Sequence, residues 1–189
     1  MGSLIGVDEV GRGCWAGPLL VVAARATAEL PRGLKDSKLL SRSQREEILN
    51  HLVDCCEFGE GWIKSIEIDS YGLAKALRLG VRRALHNLQA RIDEEIVMDG
   101  KVNYLPKKFV NGSCLVDADD LVPIVSAASI YAKVTRDRFM NELSKKYPLY
   151  SFDKHVGYGT PEHRAALREF GVIRSVHRFS YAPIARMAL

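Results

Sequence analysis

Four carboxylates stand where runs of extended-chain residues end. Asp8, with Glu9 beside it, closes the segment 3–10; Asp99 comes just before Gly100; Asp119 follows the Cys114-Leu115-Val116 run. Neighbouring strand ends lie about 4.8 Å apart, so acids at several of them converge on one spot. Carboxylates brought together without compensation repel, and such a set calls for cations or for raised pKa values. Mg²⁺ meets the need, because it takes a few carboxylates, keeps waters and leaves positions for phosphate oxygens. Two such ions roughly 3.5–4 Å apart activate a water and stabilise the leaving oxygen of a phosphodiester. Each acid alone reads as a polar loop start; the set, next to Gly11-Arg12-Gly13, points to metal-assisted hydrolysis. Adjacent strand residues face opposite ways. Asp8 and Glu9 therefore share a side only if the strand bends, and otherwise one of them binds through its backbone carbonyl.

The elements that must hold these acids are legible in outline. Residues 3–10 read as a strand, the glycines at 11 and 13 turn the chain, and 18–26 reads as a buried strand antiparallel to the first. Ser41 caps a helix over 41–55, and 61–68 is predicted as a third strand. From 70 to about 90, Leu73, Leu77, Val81, Ala84, Leu85 and Leu88 recur at helical spacing, with Lys75, Arg78 and Arg82 as a solvated stripe. Short strands follow at 95–99 and 113–116, then a helix over 126–147. Its small cluster Ser126-Ala127-Ala128-Ser129 admits close backbone approach. A loop over 148–160 and a last helix over 161–170, with proline near its start, complete the pattern. The fold class is α/β, a layered fold with a mixed sheet and a helical C-terminal portion.

Length and composition bound the partners. The 189 residues favour one domain, and 47% apolar with 26% charged residues excludes disordered, collagen-like and coiled-coil chains. The net charge of +4 hides an asymmetry: 11 of the 27 Lys and Arg, but only 5 of the 23 Asp and Glu, follow residue 130. A basic C-terminal third suggests a polyanion partner. Cys14, Cys55, Cys56 and Cys114 show no zinc or disulfide spacing. With no apolar run of about 18 residues and no signal-peptide layout, the expectation is a reduced, cytoplasmic protein without a membrane partner.

Five ordered blocks carry a resemblance: Gly6-Val-Asp-Glu-Val-Gly-Arg-Gly13, Asp36-Ser-Lys-Leu-Leu40, Met98-Asp-Gly100, Ala118 to Lys133, and His155-Val-Gly-Tyr-Gly-Thr160. Together they resemble bacterial ribonuclease HII. The match runs in register to about Pro183.

The resemblance implies a ribonuclease H-like fold, with a mixed five-stranded sheet flanked by helices over 1–147 and a helical, basic, substrate-contacting portion over 148–189, in a single domain. It implies an endonuclease that cuts the RNA strand of RNA·DNA hybrids and incises duplex DNA 5′ to a single ribonucleotide by two-metal-ion hydrolysis. The products carry 3′-hydroxyl and 5′-phosphate ends. The cofactors are Mg²⁺ or Mn²⁺, the roles are ribonucleotide and RNA-primer removal, and the state is monomeric. The catalytic, metal-binding acids map to Asp8, Glu9, Asp99 and Asp119, with Asp120 the neighbour most easily mistaken for the last. Substrate contacts map to Gly11, Arg12, Gly13 and Tyr158 around the ribonucleotide, and to Ser37, Lys38 and Lys133 at phosphates. Main-chain reading of a 2′-hydroxyl requires residues without obstructing side chains. Asp117, Cys14-Trp15 and Val156 depart from the family pattern, with Lys154 close enough to Val156 to substitute for the lysine common there. A junction resolvase or transposase-like nuclease uses similar acids on DNA alone, and a non-enzymatic nucleic-acid module is the third class. Gly-Arg-Gly with Gly-Tyr-x-Thr argues against the former, and four intact acids argue against the latter.

Overall fold

The structure, a computed structural model, describes residues 3–31, 33–34 and 40–187. In chain order the elements are β1 (Leu4–Val10), β2 (Leu19–Ala26), α1 (Arg42–Cys55), β3 (Cys56–Ile63), α2 (Ser65–Tyr71), α3 (Leu73–Asn87), β4 (Glu95–Asp99) and β5 (Gly112–Leu115). Then follow α4 (Ala118–Leu121), α5 (Pro123–Lys146), a 3-10 turn at Pro148–Tyr150, α6 (Phe152–His155), α7 (Pro161–Phe170) and α8 (Ala182–Met187). The chain forms two compact units. One comprises 1–10, 20–62 and 77–134, the other 11–19, 63–76 and 135–189.

The first unit holds a mixed five-stranded sheet in the order β3-β2-β1-β4-β5. β1 runs antiparallel to β2, with Gly6 opposite Ala24 and Asp8 opposite Val22. It runs parallel to β4, with Val7 beside Met98, and β4 is parallel to β5, with Asp99 beside Leu115. Leu20, Val22 and Ala24 share one face and pack with Leu49 and Leu52 of α1 and Ile124, Ala127 and Ala128 of α5. Alternation turns Arg25 to the other face, where its guanidinium donates to the Leu88 carbonyl just past α3 and pairs with the buried Glu94 at 2.9 Å. Helices thus cover both faces. α1 starts on the expected cap: Ser41 Oγ accepts from Gln44 N–H and Gln44 Oε1 from Ser41 N–H.

The second unit is built around Ala16, Met140, Tyr150, Phe152, Leu167 and Ile184. Asp69 of α2 fastens a distant segment by accepting from the N–H groups of Phe179 and Ser180 at 2.9 and 2.8 Å. Thr160 caps α7, accepting from His163 N–H, and Pro161 fills its first turn.

Several expectations need correcting. The third strand is Cys56–Ile63, and the predicted 61–68 run ends inside α2. Gly59 and Gly61 lie mid-strand because α3 crosses them so closely that a Cβ at either would collide with the main chain of Gly80, Ala84 or Leu88. The long 70–90 helix divides at Gly72, whose φ of +74° ends α2. The 126–147 helix begins earlier, at Pro123, and α4 precedes it. The 148–160 loop contains the 3-10 turn and α6, and α8 was not anticipated.

Gly6 shows how tightly the layers meet, since a Cβ there would lie 2.5 Å from Ile124 C and O and Val125 N. Gly6→Ala must push a helix backbone away from the sheet, at a cost of about 1–3 kcal/mol. The expected outcome in thermal unfolding is a Tm lower by roughly 3–10 °C.

Candidate active site

β1 and β4 end side by side, and this brings the first two acids together. The parallel register pairing Val7 with Met98 places Asp8 next to Asp99 at the following step. Asp8 is buried; it accepts from Glu9 N–H at 2.7 Å and from the Ser129 hydroxyl of α5. Ser129 lies about 4.5 residues beyond the Ile124–Val125 contact on Gly6, and 1.5 Å per helical residue matches the roughly 6.7 Å between Gly6 and Asp8 along the strand. Burial, then Glu9, pushes the Asp8 carboxyl well above its ordinary value, with Asp99 adding to the rise and the two hydrogen bonds opposing it.

Glu9 stands on the opposite face from Asp8. The ladder stays regular through Glu9 opposite Val21 and Val10 opposite Leu20, so the expected alternative of a bend is not what the strand adopts. Asp99 Oδ1 accepts from Ala118 N–H at 2.7 Å, anchoring the first turn of α4. That turn carries Asp119, which is buried, and Asp120, which is half-buried. Ser126 Oγ donates to the Asp119 carbonyl. Asp117 precedes α4 at φ 55°, ψ 34°, a left-handed conformation that aspartate tolerates. Among the described residues no group of three or more His, Cys, Asp or Glu side chains is gathered closely enough to hold a metal ion as it stands. The donor set itself, carboxylate oxygens with that of Asp8 pushed up by burial, then by Glu9 and Asp99, suits a hard divalent cation.

Lys133 lies one turn beyond Ser129, on the same side of α5, and is half-buried. Ser37 and Lys38 lie outside the described residues. A cavity of about 410 Å³ lies elsewhere, lined by Arg82, Arg83, His86, Lys108 and Phe109.

In the second unit, the segment 12–18 that follows Gly11 is held by two arginines to which sequence reasoning gave no role. Arg136 and Arg178 are both 0% exposed. Arg136 donates to the carbonyls of Pro18, Val156 and Ala16 at 2.8, 2.9 and 3.2 Å. Arg178 donates to those of Gly17, at 3.1 and 3.0 Å, and Arg12, at 3.1 Å. Gly11, at φ +87°, rests on the Arg136 guanidinium so closely that no side chain fits. Tyr181 adds a hydroxyl donated to the Arg12 carbonyl at 2.6 Å. Arg178 lies in a His-Arg-x-Ser run that carries some signal, whereas Arg136 looks like any helical surface cation.

Tyr158 stands against this loop. Among the described residues, a Cβ at Gly13 would meet Tyr158 Cε1 at 3.9 Å, and the tyrosine is 41% exposed. Burial, then the Cys14 thiol, pushes the Tyr158 hydroxyl above its ordinary value, against the lowering effect of Arg136. Trp15 packs its ring against Gly159 and beneath Arg164, 5.2 Å from the ring centroid. Lys154 pairs with Glu162 at 3.0 Å.

His155, His163 and His177 are all buried behind Tyr158. His163 Nδ1 lies 2.9 Å from the Tyr158 carbonyl and its Nε2 lies 3.2 Å from His177 Nε2. Burial, the leading cause in both, lowers the pKa of His163 and His177 to about 4.

Comparison with known proteins gives a consistent family. The model of the family Ribonuclease HII matches residues 5–184. Ribonuclease HII of Thermotoga maritima is 41% identical over 186 residues, covering 98% of this chain and 76% of the relative. Among solved structures, ribonuclease H2 from Pyrococcus horikoshii OT3 superposes with a TM-score of 0.79 at 27% identity, over 98% of this chain and 97% of that one. Bst-RNase HIII in complex with Mn²⁺ shares the fold, with a TM-score of 0.78 at 20% identity over 98% and 68%.

His163 and His177 make stability pH-dependent. Their folded pKa, about 4, lies below the unfolded 6.5, so the unfolded state takes up protons first as pH falls. Their contribution is complete above about pH 6.5 and is lost progressively toward pH 4, by up to roughly 3 kcal/mol per ring if each acts alone. Denaturant unfolding at pH 7 and pH 4.5 should show a larger loss for the wild type than for His177→Asn.

Proposed function

The chain belongs to the ribonuclease HII family, and from that premise we propose an endonuclease that hydrolyses the RNA strand of RNA·DNA hybrids and incises duplex DNA 5′ to a lone ribonucleotide. The ends left are a 3′-hydroxyl and a 5′-phosphate. The observation that carries the reading is the buried Asp8 carboxyl, pushed up by burial first and then by Glu9 and Asp99 at adjoining strand ends. Like charges held together at a protein's expense are what a divalent cation relieves.

Two divalent ions, Mg²⁺ or Mn²⁺, supply acidification of an attacking water and neutralisation of the leaving oxygen. The chain's own part is to hold the ligands. Asp8 is fixed by Ser129 and Glu9 N–H, and Asp99 by Ala118 N–H. In this reading Asp8, Glu9, Asp99 and Asp119 are the catalytic acids, with Glu9 contributing its backbone carbonyl because its side chain faces away. Burial of Asp119 beside the half-buried Asp120 supports the choice of Asp119.

Recognition falls to Gly11, Arg12, Gly13 and Tyr158. With the carbonyls of Arg12, Ala16, Gly17 and Pro18 taken up by buried cations, the loop presents a set main-chain shape to a 2′-hydroxyl, the group that distinguishes RNA from DNA. Tyr158, half out in solvent beside Gly13, packs on the sugar at the RNA–DNA junction. Lys133, with Ser37 and Lys38, contacts phosphates and makes affinity fall with salt. The same reading takes the chain as one functional domain, acting as a cytoplasmic monomer in ribonucleotide and RNA-primer removal. No described helix is long and apolar enough to cross a membrane.

Cleavage mapped at nucleotide resolution on a lone-ribonucleotide duplex, a long hybrid and an all-DNA duplex tests the proposal. Cutting is expected on the first two only, and equal cutting of all-DNA duplex overturns it. Asp99→Asn should lower turnover by about 10²–10³-fold or more while hybrid binding persists. Tyr158→Ala should lower kcat/KM about tenfold more on the lone ribonucleotide than on the hybrid, a difference of about 1.4 kcal/mol.

A further inference from the structure

The hydrogen bonds around the three buried histidines admit one arrangement of protons. Ile173 N–H donates to His177 Nδ1 at 2.8 Å, so that nitrogen is an acceptor and the neutral ring carries its proton on Nε2. His177 Nε2 faces His163 Nε2 at 3.2 Å, and only one of these can donate. His177 donates, His163 Nε2 accepts, and the His163 proton is left on Nδ1, aimed at the Tyr158 carbonyl 2.9 Å away. Protonating either ring fully would set two N–H groups against each other. His155, stacked on His163 at 4.4 Å, follows the same logic: Gly157 N–H donates to its Nδ1, and its Nε2 donates to the Tyr150 carbonyl.

The chain of donors ends on the main chain of the residue proposed to touch the sugar. The Tyr158 carbonyl also accepts from Thr160 N–H, and its N–H donates to the His155 carbonyl, both at 2.9 Å. The Gly157 carbonyl before it accepts from Trp15 N–H at 2.8 Å. The peptide groups flanking Tyr158 are thus held by main-chain partners and, at the Tyr158 carbonyl, by the relay, while the ring remains 41% exposed to meet a ligand. Phe152 packs edge-on against His163 at 5.6 Å. An apolar ring in place of His163 fills that space equally well but leaves the Tyr158 carbonyl one donor short.

We infer that His177 and His163 form a directional hydrogen-bond relay that positions Tyr158 for junction sensing, with His163 the positioning residue and His177 the group that sets its tautomer. The inference rests on the proposed role of Tyr158.

Nitrogen-15 NMR of the full chain at pH 7 reads the tautomers directly. His163 is expected as Nδ1–H, and His155 and His177 as Nε2–H; His163 found as Nε2–H or charged overturns the relay. Kinetics supply the second test, as the ratio of kcat/KM on a lone-ribonucleotide duplex to that on a long hybrid. His163→Phe should lower the ratio about five- to tenfold. His163→Asn, whose amide N–H stands near the Nδ1 position, should restore it to within about twofold. In a Tyr158→Ala background His163→Phe should have no further effect on the ratio, which a general loss of stability would not reproduce.

If His163→Phe does not fold, His177→Asn, which keeps an acceptor for Ile173 N–H and loses the donor to His163, carries the test with the same expected direction. A ratio lowered by Tyr158→Ala but untouched by His163→Phe, or by His177→Asn in its place, overturns the relay alone. A ratio untouched by Tyr158→Ala overturns the role of Tyr158 and the relay with it.

Discussion

Where a helix main chain touches a strand main chain no side chain is admitted, and three glycines of the first unit mark that constraint. Gly6 lies under Ile124 and Val125, and Gly59 and Gly61 lie under α3 at Gly80 and Ala84. These contacts set the distance between sheet and helices and fix how each helix is phased along its strand. Once α5 is seated on Gly6, Ser129 falls over Asp8 by arithmetic of rise alone. A carboxylate buried against like charges then acquires a hydroxyl partner that partly offsets its desolvation. Chemistry at the strand ends follows from a packing distance set two residues earlier.

The second unit faces a different problem, a glycine-rich loop whose carbonyls cannot all be satisfied by a sheet or helix. Buried carbonyls without donors are costly. Here the donors are guanidiniums: Arg136 and Arg178, fully buried, divide five loop and turn carbonyls between them. Each cation is desolvated, and in exchange its planar fork reaches acceptors that no single backbone donor spans. The histidines solve the equivalent problem for the Tyr158 turn with neutral rings, each donating on one side and accepting on the other. The two devices differ in a useful way. Arginine holds its proton at every physiological pH, whereas imidazole works here only while uncharged.

Residues that do chemistry were legible because their types are unusual for their places. An acid at the end of an apolar run, or glycines flanking an arginine, breaks the local pattern, and the break is visible without a fold. Supporting residues were not, because their types are ordinary. Arg136 sits among the charged residues of a long helix and reads as a surface cation until the loop it holds is seen. The first residues of β3 carried no clear strand pattern, since a strand whose side chains are removed at Gly59 and Gly61 to admit a helix loses its alternation. α4 escaped notice because four residues carry no periodicity, although Asp119 depends on it.

Asp117 illustrates how a departure from a family pattern acquires a physical reading once the backbone is known. An added negative charge beside Asp119 and Asp120 looks like a modification of the metal site. The residue, however, is exposed and occupies a left-handed conformation ahead of α4, with no capping hydrogen bond from its side chain. Aspartate and asparagine adopt that conformation more readily than other side chains. The turn it makes lets Ala118 N–H meet Asp99 Oδ1 and lets Asp120 N–H close on the Asp117 carbonyl at 3.1 Å. Its effect on the acids therefore runs through the backbone first. By setting the start of α4 it fixes which of two adjacent aspartates is buried, and exposure to water screens its own charge.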